Sequence, residues 1–542
     1  MANDPGPRSV LGIDLEDYFQ AAAYRNVVPA LHWPRFDARI PLQVERFAAV
    51  LSATGSRATF FADAWVAEQH PGVLAGLARR GHEIACLLRR PAGSQAPDVG
   101  ELAATVLRTR AVIAAATGFM PCGFRLEAPL PRADHVALVD RLAKDGFAYD
   151  ASARSGFAAG AGPARVTAPL PAVRPWSGGI ASAFVASPLR QLPDFAWRRT
   201  STRRGRRPAS DYLLIKSWEI DPAQPRITAA PGWSRALHGQ GLARVEPRLA
   251  AWLAAKPAQS IADRIGLERS RMVHTPQTIG AAEAVETPAA RRGPRVPVTL
   301  VVPAFNEAPT LAFLARALER FEHDAGAGLQ LAYVFVDDAS TDATSTILRD
   351  LFGARAHCRI VTHPANLGIT GATLTGIAAA ETEIVAVIDA DCSYDPATIA
   401  RMIPLLAPGV ALVTASPYHP QGRVIGVPAW RLWLSRRLSG LYGAVLATRL
   451  HTYTACVRVY RKSAMTNLPI RNTGYLGMAE IIAALDRRGD RVVECPAVLE
   501  TRLFGQSKMK IARTIAGHLG LIASILAARR NAAKPTTLER QS

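Results

Sequence analysis

The chain has 542 residues, 49% of them apolar and 20% charged, so it is too long for one ordinary core and too apolar to be disordered throughout. Its 64 Lys and Arg against 44 Asp and Glu give a net charge of +20, which favours anionic partners such as nucleic acid, phosphorylated small molecules or an anionic membrane face. The six cysteines lie far apart without a Cys-x-x-Cys pair, which indicates free thiols in a reducing compartment rather than a zinc ribbon.

The N-terminal part, residues 1–265, alternates short apolar runs with helical patterns. Strands are predicted over 9–15, 57–61, 83–88 and 123–126. Helices are predicted over 42–53, 64–80, 99–116 and 133–144. The alternation predicts an α/β layer or barrel. A basic segment at 198–207 predicts a loop, and the Pro- and Gly-containing stretch 266–295 predicts a linker.

In the third part, residues 296–510, each predicted strand ends in a polar cluster. The strands are 298–302, closed by Pro303, and 331–336, 360–362 and 384–388. The residues that follow them include Asn306, Glu307, Asp337, Asp338, Asn366, Gly368, Asp389 and Asp391. The carboxyl ends of parallel strands are where doubly wound sheets bind ligands, so we expect these side chains to form one site.

The residue types in these clusters suit a nucleotide-sugar. Asp389 and Asp391 can hold Mg²⁺ or Mn²⁺ through hard oxygen ligands, and the metal can neutralise a leaving diphosphate. Asp338 and Glu307 offer acceptors for ribose hydroxyls and base edges. The glycines after Asn366 allow the backbone to approach a ligand closely.

These motifs resemble glycosyltransferase family 2, with its nucleotide-binding α/β fold of the GT-A type. The resemblance rests on Pro303-x-Phe-Asn-Glu307, Val336-Asp-Asp338-x-Ser-x-Asp342, Asn366-x-Gly368, Asp389-Ala-Asp391-x-Ser-x-Asp395-Pro396, Thr452-Tyr-Thr-Ala-Cys-Val-Arg458, Gly477-Met-Ala-Glu480, Glu494-x-Pro496 and Arg502-x-x-Gly505-x-Ser507-Lys508. The late motifs look most like the branch that includes the dolichyl- and polyprenyl-phosphate sugar transferases.

The resemblance implies roles for individual residues and an inverting displacement at the anomeric carbon. Asp338 would contact the nucleotide, and Asp389 with Asp391 the metal and diphosphate. Arg502 and Lys508 would bind phosphates. The expected substrate-binding set is Pro303, Asn306, Glu307, Asp337, Asp338, Asn366, Gly368, Arg502, Ser507 and Lys508.

The need for a catalytic base depends on the acceptor, which is a polyprenyl phosphate or a growing glycan. A lipid phosphate is already an anion, whereas a hydroxyl needs a carboxylate to take its proton. Glu480, expected at the start of a helix over 478–487, is the candidate. The alternative is that Glu480 is a first-turn acid favoured by the helix dipole.

Two basic amphipathic segments favour attachment to a membrane surface. Apolar residues recur at helical spacing at positions 430, 434, 438, 441 and 445, and again at 511, 515, 519, 522 and 526. Lys and Arg flank both stripes, as in helices that lie in a membrane interface; core packing or a dimer seam is the alternative. The N-terminus lacks a secretory signal, and the apolar stretch 514–528 is too short to span a bilayer. We expect a cytoplasmic protein, peripheral on the inner face of the plasma membrane, with residues 511–542 as a basic amphipathic helix and tail.

The N-terminal part resembles polysaccharide deacetylases, which implies a distorted (β/α) barrel. The resemblance rests on Leu11-Gly-Ile-Asp14-Leu-Glu-Asp17-Tyr-Phe-Gln, Arg57-Ala-Thr-Phe-Phe61, Arg80-Gly-His82-Glu-Ile-Ala85, Gly123-Phe-Arg125, Gly146-Phe-x-Tyr149-Asp150 and Trp218-Glu-Ile-Asp-Pro222-x-Gln-Pro-Arg226. In that family an Asp and two His hold a metal, but the two His positions here are Leu87 and Pro91, and a later His is Lys216.

The missing imidazoles predict that this domain folds without deacetylating. Asp14 and Asp17 alone make a poor zinc site. Lys216 could pair with Asp14 or Asp17 across the former metal pocket, with Arg125 completing the degenerate site. The domain would bind a glycan, position the acceptor or act as a scaffold.

Three alternatives to a sugar transferase follow from the same sequence. An active carbohydrate esterase with an accessory transferase domain is opposed by the lost His residues. A non-catalytic glycan-binding protein is opposed by the intact Asp389, Asp391, Asp338, Arg502 and Lys508. Nucleic-acid binding is opposed by the absence of a recognisable nucleic-acid-binding motif.

Overall fold

The computed structural model describes residues 9–89, 98–152, 188–194, 197, 212–267, 295–325, 328–504 and 511–532. The chain forms two compact units, residues 1–33 with 38–285 and residues 34–37 with 286–542. The predicted loop at 198–207, most of the predicted linker, and Pro91, Ser507 and Lys508 lie outside the described residues. The predicted boundaries at 265, 295 and 510 stay predictions.

The first unit contains a parallel sheet. Its strands are β1 (Ser9–Asp14), β2 (Thr59–Ala62), β3 (Glu83–Leu88), β4 (Gly123–Leu126), β5 (Tyr149–Asp150), β6 (Tyr212–Lys216) and β7 (Ala258–Gln259). Their order is β5-β4-β3-β2-β1-β6, with β7 also paired to β1. Every described pair is parallel, as the βα alternation predicts. No described pair joins β5 to β6, so the distorted barrel stays a prediction.

Helices connect these strands and cover a core of aliphatic and aromatic side chains. They are Ile40–Ala53, Ala64–Gln69, Pro71–Arg79, Val99–Thr117, Arg132–Lys144, Pro188–Gln191, Gly232–Gly239, Val245–Ala255 and Ile261–Arg264. The single helix predicted over 64–80 is wrong, because it breaks at His70. Pro71 has no N–H to continue the helix and disfavours helical backbone at the residue before it, and His70 has φ −130° and ψ 47°.

The second unit contains a mixed sheet. Its strands are β8 (Val296–Ala304), β9 (Leu329–Asp337), β10 (Cys358–Thr362), β11 (Ile384–Val387), β12 (Val410–Ser416), β14 (Arg458–Arg461) and β15 (Arg491–Pro496), with a separate pair of β13 (Arg423–Ile425) and β16 (Val498–Glu500). The order is β10-β9-β8-β11-β14-β12-β15, in which only β14 runs antiparallel to its neighbours. The helices are Leu311–Ala325, Thr344–Phe352, Ile369–Ala379, Ala397–Met402, Ala429–Val445, Lys462–Met465, Tyr475–Arg488 and Ile511–Ala532.

The direction in which successive strands are added to this sheet reverses between β8 and β11, although these two strands are parallel. The chain runs outward from β8 through β9 to β10, and then returns to add β11 on the other side of β8. Such a switch point opens a crevice at the carboxyl ends of the strands. Pro303 does not close β8 as predicted, since the strand pairs with β9 as far as Ala304. The described pairing with β11 stops at Val301, so β8 extends beyond β11 on that side.

The two amphipathic helices are only partly exposed along their predicted apolar stripes. Val445 and Ile522 are buried in the core of the second unit, whereas Trp430, Leu441, Leu519 and Leu526 are exposed. The helices also meet each other, because the Tyr442 hydroxyl lies 2.8 Å from Nδ1 of His518. Each helix therefore combines core packing with an exposed apolar part. No described helix is long and apolar enough to cross a membrane.

Candidate functional site

Asp389 and Asp391 lie just beyond the end of β11, at the switch point of the second sheet. Burial and the neighbouring Asp391 carboxylate raise the pKa of Asp389 to about 7, and the thiol of Cys456 donates a hydrogen bond to it. Asp391 Oδ1 accepts from the amide of Ser393 at 2.9 Å, which fixes its side chain. A cation is the natural ligand of two adjacent carboxylates whose charges repel each other.

Arg502 joins the polar clusters that follow β8 and β11. Its Nε and Nη2 each lie 2.8 Å from Asp391 Oδ2, and Nη2 also lies 3.1 Å from Glu307 Oε1. Glu307 accepts a second bond from the Thr310 hydroxyl at 3.2 Å. The guanidinium therefore holds two of the predicted acidic residues together and places a fixed positive charge in the crevice.

Asp338 is buried after β9 and organises the turn before the helix Ile369–Ala379. Its oxygens accept the amides of Leu367 at 2.8 Å and Gly368 at 2.7 Å, and Oδ1 lies 2.7 Å from Nδ1 of His363. Gly368 has φ +85°, and a Cβ there would lie 2.8 Å from the carbonyl oxygen of Thr473, so glycine is required. In the structure Asp338 positions the turn. The predicted contact with a nucleotide stays a prediction.

Asn306 ties the cluster after β8 to the cluster after β9. Its side-chain Oδ1 accepts a hydrogen bond from the backbone amide of Thr341 at 2.7 Å, and its backbone N–H donates to the Ser340 hydroxyl at 2.9 Å. Its φ of +53° is a conformation that asparagine tolerates better than most residues. Asp337 accepts the Ser340 amide at 3.0 Å, and Asn366 Nδ2 donates to the carbonyl of Asp338 at 3.2 Å. These residues shape the crevice wall.

Glu480 is not at a helix start, because its helix begins at Tyr475 and places Glu480 in the second turn. Its carboxylate accepts three N–H groups of the preceding loop: the amides of Arg471 and Asn472, at 3.2 and 2.8 Å, and Asn472 Nδ2 at 2.9 Å. The dipole interpretation is therefore not needed to explain it. A base role stays a prediction, and the observed contacts give Glu480 a positioning role.

The metal-binding capacity of the site depends on the two aspartates. The described residues contain no group of three or more His, Cys, Asp or Glu placed to hold a metal ion. Mg²⁺ is commonly held by one or two carboxylates together with substrate phosphates and water. Asp389 and Asp391 fit that pattern and would hold such an ion.

Two side chains of the site escaped sequence reasoning. His363 lies 2.7 Å from Asp338 Oδ1 and, on its other side, 3.0 Å from the Thr375 hydroxyl, and it belongs to no motif. Cys456 stands within a quoted motif, but its contact with Asp389 crosses from one strand end to another. Position beside the acidic clusters was the available signal for His363.

The first unit carries a second cluster of buried charges at the ends of β1 and β6. Lys216 Nζ lies 2.6 Å from Glu16 Oε1, Trp218 Nε1 donates to the same oxygen at 2.7 Å, and Arg89 Nη1 lies 2.7 Å from Oε2. Burial alone would raise the pKa of Glu16, but Lys216 and Arg89 outweigh it and lower the pKa to about 2. The predicted pairing of Lys216 with Asp14 or Asp17 is therefore wrong, because Glu16 is its hydrogen-bonded partner.

Asp14 and Asp17, the two carboxylates of the predicted degenerate site, have different surroundings. Asp17 accepts the amides of Tyr18 at 2.8 Å and Arg39 at 2.6 Å, so it fixes backbone rather than facing a ligand. Asp14 is fully buried, and within the described residues its oxygens have no hydrogen-bond partner; Arg125 Nη1 lies 3.4 Å away. Burial raises the pKa of Asp14. The absence of a metal site at this pair stays a prediction.

The second unit has the features of a nucleotide-binding α/β domain: a sheet with a switch point and carboxylates at its carboxyl edge. Residues 299–468 match the family model "Glycosyl transferase family 2". An uncharacterized glycosyltransferase of Mycobacterium bovis is 32% identical over 222 residues, which are 39% of this chain and 89% of the relative. The chain belongs to glycosyl transferase family 2 and is a glycosyltransferase.

Other relatives carry more specific names. A polyprenol monophosphomannose synthase of Mycolicibacterium smegmatis is 29% identical over 235 residues, 42% of this chain and 85% of that protein. Among solved structures, glucosyl-3-phosphoglycerate synthase from Mycobacterium tuberculosis in complex with Mn²⁺ and UDP-glucose is 20% identical, with a TM-score of 0.33, over 43% of this chain and 79% of that one.

Proposed function

We propose that the second unit transfers a sugar, with inversion, from a nucleotide-sugar to a polyprenyl phosphate. The observation that carries this proposal is the pair Asp389 and Asp391 at the switch point, with Arg502 fixed beside them. The relatives named as polyprenol monophosphomannose synthase and dolichol-phosphate mannosyltransferase support a lipid phosphate as the acceptor. A growing glycan is the other acceptor considered.

Asp389 and Asp391 would hold Mg²⁺ or Mn²⁺, which would neutralise charge on the leaving diphosphate. Arg502 already spans Asp391 and Glu307, so it would meet the same phosphates with a preformed guanidinium. The turn held by Asp338 would place the Gly368 backbone close to the nucleotide. Ser507 and Lys508 follow Arg502 in the chain and would add phosphate contacts.

The surroundings of Glu480 favour a phosphate over a hydroxyl acceptor. A hydroxyl acceptor needs a base within reach of its proton, but Glu480 already accepts three N–H groups. A phosphate monoester carries its own negative charge and attacks without a general base. The anomeric carbon would gain the bond to the acceptor oxygen as the bond to the diphosphate oxygen breaks.

An exposed aromatic and basic face on the helix Ala429–Val445 would bring this site to a membrane. Trp430 and Trp433 are 54% and 61% exposed. The guanidinium of Arg431 lies 5.2 Å from the Trp430 ring centroid, and that of Arg437 lies 5.4 Å from the Trp433 ring centroid. Tryptophan beside arginine suits the headgroup region of an anionic bilayer. The protein would then act as a peripheral protein on the inner face of the plasma membrane.

Co-sedimentation with phosphatidylglycerol vesicles tests this face. The double variant Trp430→Ala with Trp433→Ala should lose at least about 100-fold in vesicle affinity, since each buried large apolar side chain contributes about 1.5–3 kcal/mol. Trp233→Ala is the matched control, because Trp233 is 58% exposed in the first unit. Equal binding of the double variant and the control variant would show that this face does not bind the membrane.

The first unit would be a deacetylase-like domain without a metal. Lys216 occupies the position at which the resembled family has histidine, and it neutralises Glu16 rather than leaving a ligand free. Asp17 is engaged by backbone amides. Such a unit would act as a scaffold or a glycan binder.

The transferase proposal is tested by nucleoside diphosphate release from a panel of nucleotide-sugars with Mn²⁺ and polyprenyl phosphate. One donor should support release, and Asp391→Asn should reduce it at least about 100-fold. Asp350→Asn, an exposed carboxylate of the same unit, is the control and should leave release unchanged. Donor turnover that is equal in the two variants would contradict the proposed site.

A further inference from the structure

The first unit contains a cavity that the charged cluster around Glu16 does not use. Its volume is about 370 Å³, and its walls include Tyr24, Gln224, Arg226, Arg235, His238 and Arg244. Part of the wall comes from the segment Trp218–Arg226, which was noted in the sequence as a motif. We call it the arginine cavity.

The arginine cavity is positively charged and lacks its own counter-charge. Within the described residues, no aspartate or glutamate lines it, and none of Arg226, Arg235 and Arg244 has an ion pair. The nearby Glu246 pairs with Arg46 and not with a cavity arginine, since its Oε2 lies 3.6 Å from Nη1 of Arg46. Nε of Arg235 is buried and has no hydrogen-bond partner among the described residues. An oxyanion in the cavity would supply the counter-charge that these guanidinium groups lack.

The polar wall of the cavity is held in one orientation. Gln224 Nε2 donates to the carbonyls of Trp218 at 3.0 Å and Asp221 at 2.9 Å, which leaves its Oε1 to accept from Nε2 of His238 at 3.0 Å. The His238 ring stacks on Trp218 with centroids 4.2 Å apart. Burial and the nearby Arg190 lower the pKa of His238 to about 3, so the ring is neutral.

This arrangement determines which ring nitrogen of His238 can still form a hydrogen bond. Because its Nε2 carries the proton, its Nδ1 is an acceptor, and that atom has no partner among the described residues. The Tyr24 hydroxyl can donate or accept a hydrogen bond, and it interacts electrostatically with Arg226 and Arg235. Guanidinium donors beside hydroxyl-compatible groups match a sugar that bears an anionic substituent.

We propose that the arginine cavity binds a carbohydrate carrying a carboxylate or phosphate group. Arg226 and Arg235 would hold the oxyanion, with Arg244 adding charge at the mouth, and Tyr24 with His238 would contact sugar hydroxyls. A cavity of about 370 Å³ admits one sugar residue with its substituent. This site is independent of the transfer reaction, since all of its residues belong to the first unit.

Isothermal titration calorimetry on the full chain, without nucleotide-sugar, tests the proposal. The probes are glucuronate, glucose 6-phosphate, glucose and inorganic phosphate. At least one anionic sugar should bind about tenfold more tightly than both glucose and inorganic phosphate. Comparing glucuronate with glucose 6-phosphate distinguishes a carboxylate-bearing from a phosphate-bearing ligand.

The double variant Arg226→Gln with Arg235→Gln should weaken binding of the anionic sugar at least about tenfold, because two charge-assisted hydrogen bonds are lost. Arg79→Gln is the control, since Arg79 is exposed on another helix of the same unit. Unchanged affinity in the double variant, or no binding of either anionic sugar, would overturn the proposal. Inorganic phosphate binding as tightly as the tighter of the two anionic sugars would overturn its carbohydrate part. The ¹⁵N shift of His238 Nδ1 in the wild type should move on binding, and an unchanged shift would overturn the contact assigned to His238.

Discussion

Replacing Glu16 with glutamine tests the claim that a buried ion cluster holds the strand ends of the first unit. Glu16 is fully buried and contacts Lys216 at 2.6 Å and Arg89 at 2.7 Å. Glu16→Gln leaves the Lys216 ammonium buried without its hydrogen-bonded counter-charge. Breaking a buried pair on one side costs about 3–5 kcal/mol. The lowered pKa of Glu16 has the matching sign, because Lys216 and Arg89 favour its charged form in the folded chain.

The assay is thermal unfolding of the full chain at pH 7, followed by a probe of the first unit such as limited proteolysis at each temperature. For a unit of this size, the loss should lower the melting temperature by about 10 °C. The control is Glu45→Gln, which removes an exposed pair with Arg80 at 3.0 Å and should change it by about 2 °C or less. Glu16→Gln with Lys216→Met should recover part of the loss. Equal melting of the Glu16 and Glu45 variants would show that the buried pair adds no more stability than the exposed one.

The same pair predicts a pH dependence with a definite sign. The folded pKa of Glu16 lies below its unfolded value, so its stabilisation is fully present above about pH 5 and is lost as the pH falls toward 2. The wild type should therefore lose more stability than Glu16→Gln over this range. Parallel stability curves for the two proteins would contradict the assigned charge state.

Three further predictions concern other parts of the chain. Asp338→Asn should destabilise the second unit by about 2–3 kcal/mol and raise KM for the donor. The two carboxylate oxygens of Asp338 accept the Leu367 and Gly368 amides separately, whereas asparagine has a single side-chain oxygen. Urea unfolding and initial rates measure the two effects. Glu480→Gln should lower kcat less than about tenfold, as a positioning residue whose oxygen acceptor is kept, whereas loss of a general base would cost about 100-fold or more. Gly123→Ala should destabilise the first unit by about 1–3 kcal/mol, because the new Cβ would lie 1.9 Å from Tyr149 Cζ. The control is Gly72→Ala, where a Cβ meets no atom within 4 Å. A smaller fall in melting temperature for Gly123→Ala than for Gly72→Ala would contradict the packing described.

Much of the second unit could be predicted from local sequence signals. Apolar runs followed by acidic clusters placed Asp338, Asp389 and Asp391 at strand ends, because the alternation of strands and helices forces parallel pairing. The extension of β8 past Pro303 could not be predicted, since it depends on which neighbouring strand ends first. His363 was missed because its contact with Asp338 joins two strand ends, and its place beside the acidic clusters was its only local signal.

In the first unit, residue types were easier to predict than their partners. The resemblance to polysaccharide deacetylases predicts missing metal-binding histidines at Leu87 and Lys216, and this stays a prediction. The partner of Lys216 was not, because Asp14, Glu16 and Asp17 are close in sequence and their orientation is set by the surrounding backbone and side chains. Likewise, helical spacing predicted both apolar stripes, but spacing does not say which part of a stripe faces the core.

Transfer to a lipid phosphate by the second unit can be measured as nucleoside diphosphate release in the presence and absence of polyprenyl phosphate. With Mn²⁺ and the right donor, release should rise at least about tenfold on adding the lipid, disappear in Asp391→Asn and persist in Asp14→Asn. Release that is independent of the lipid phosphate, or retained in Asp391→Asn, would contradict the account.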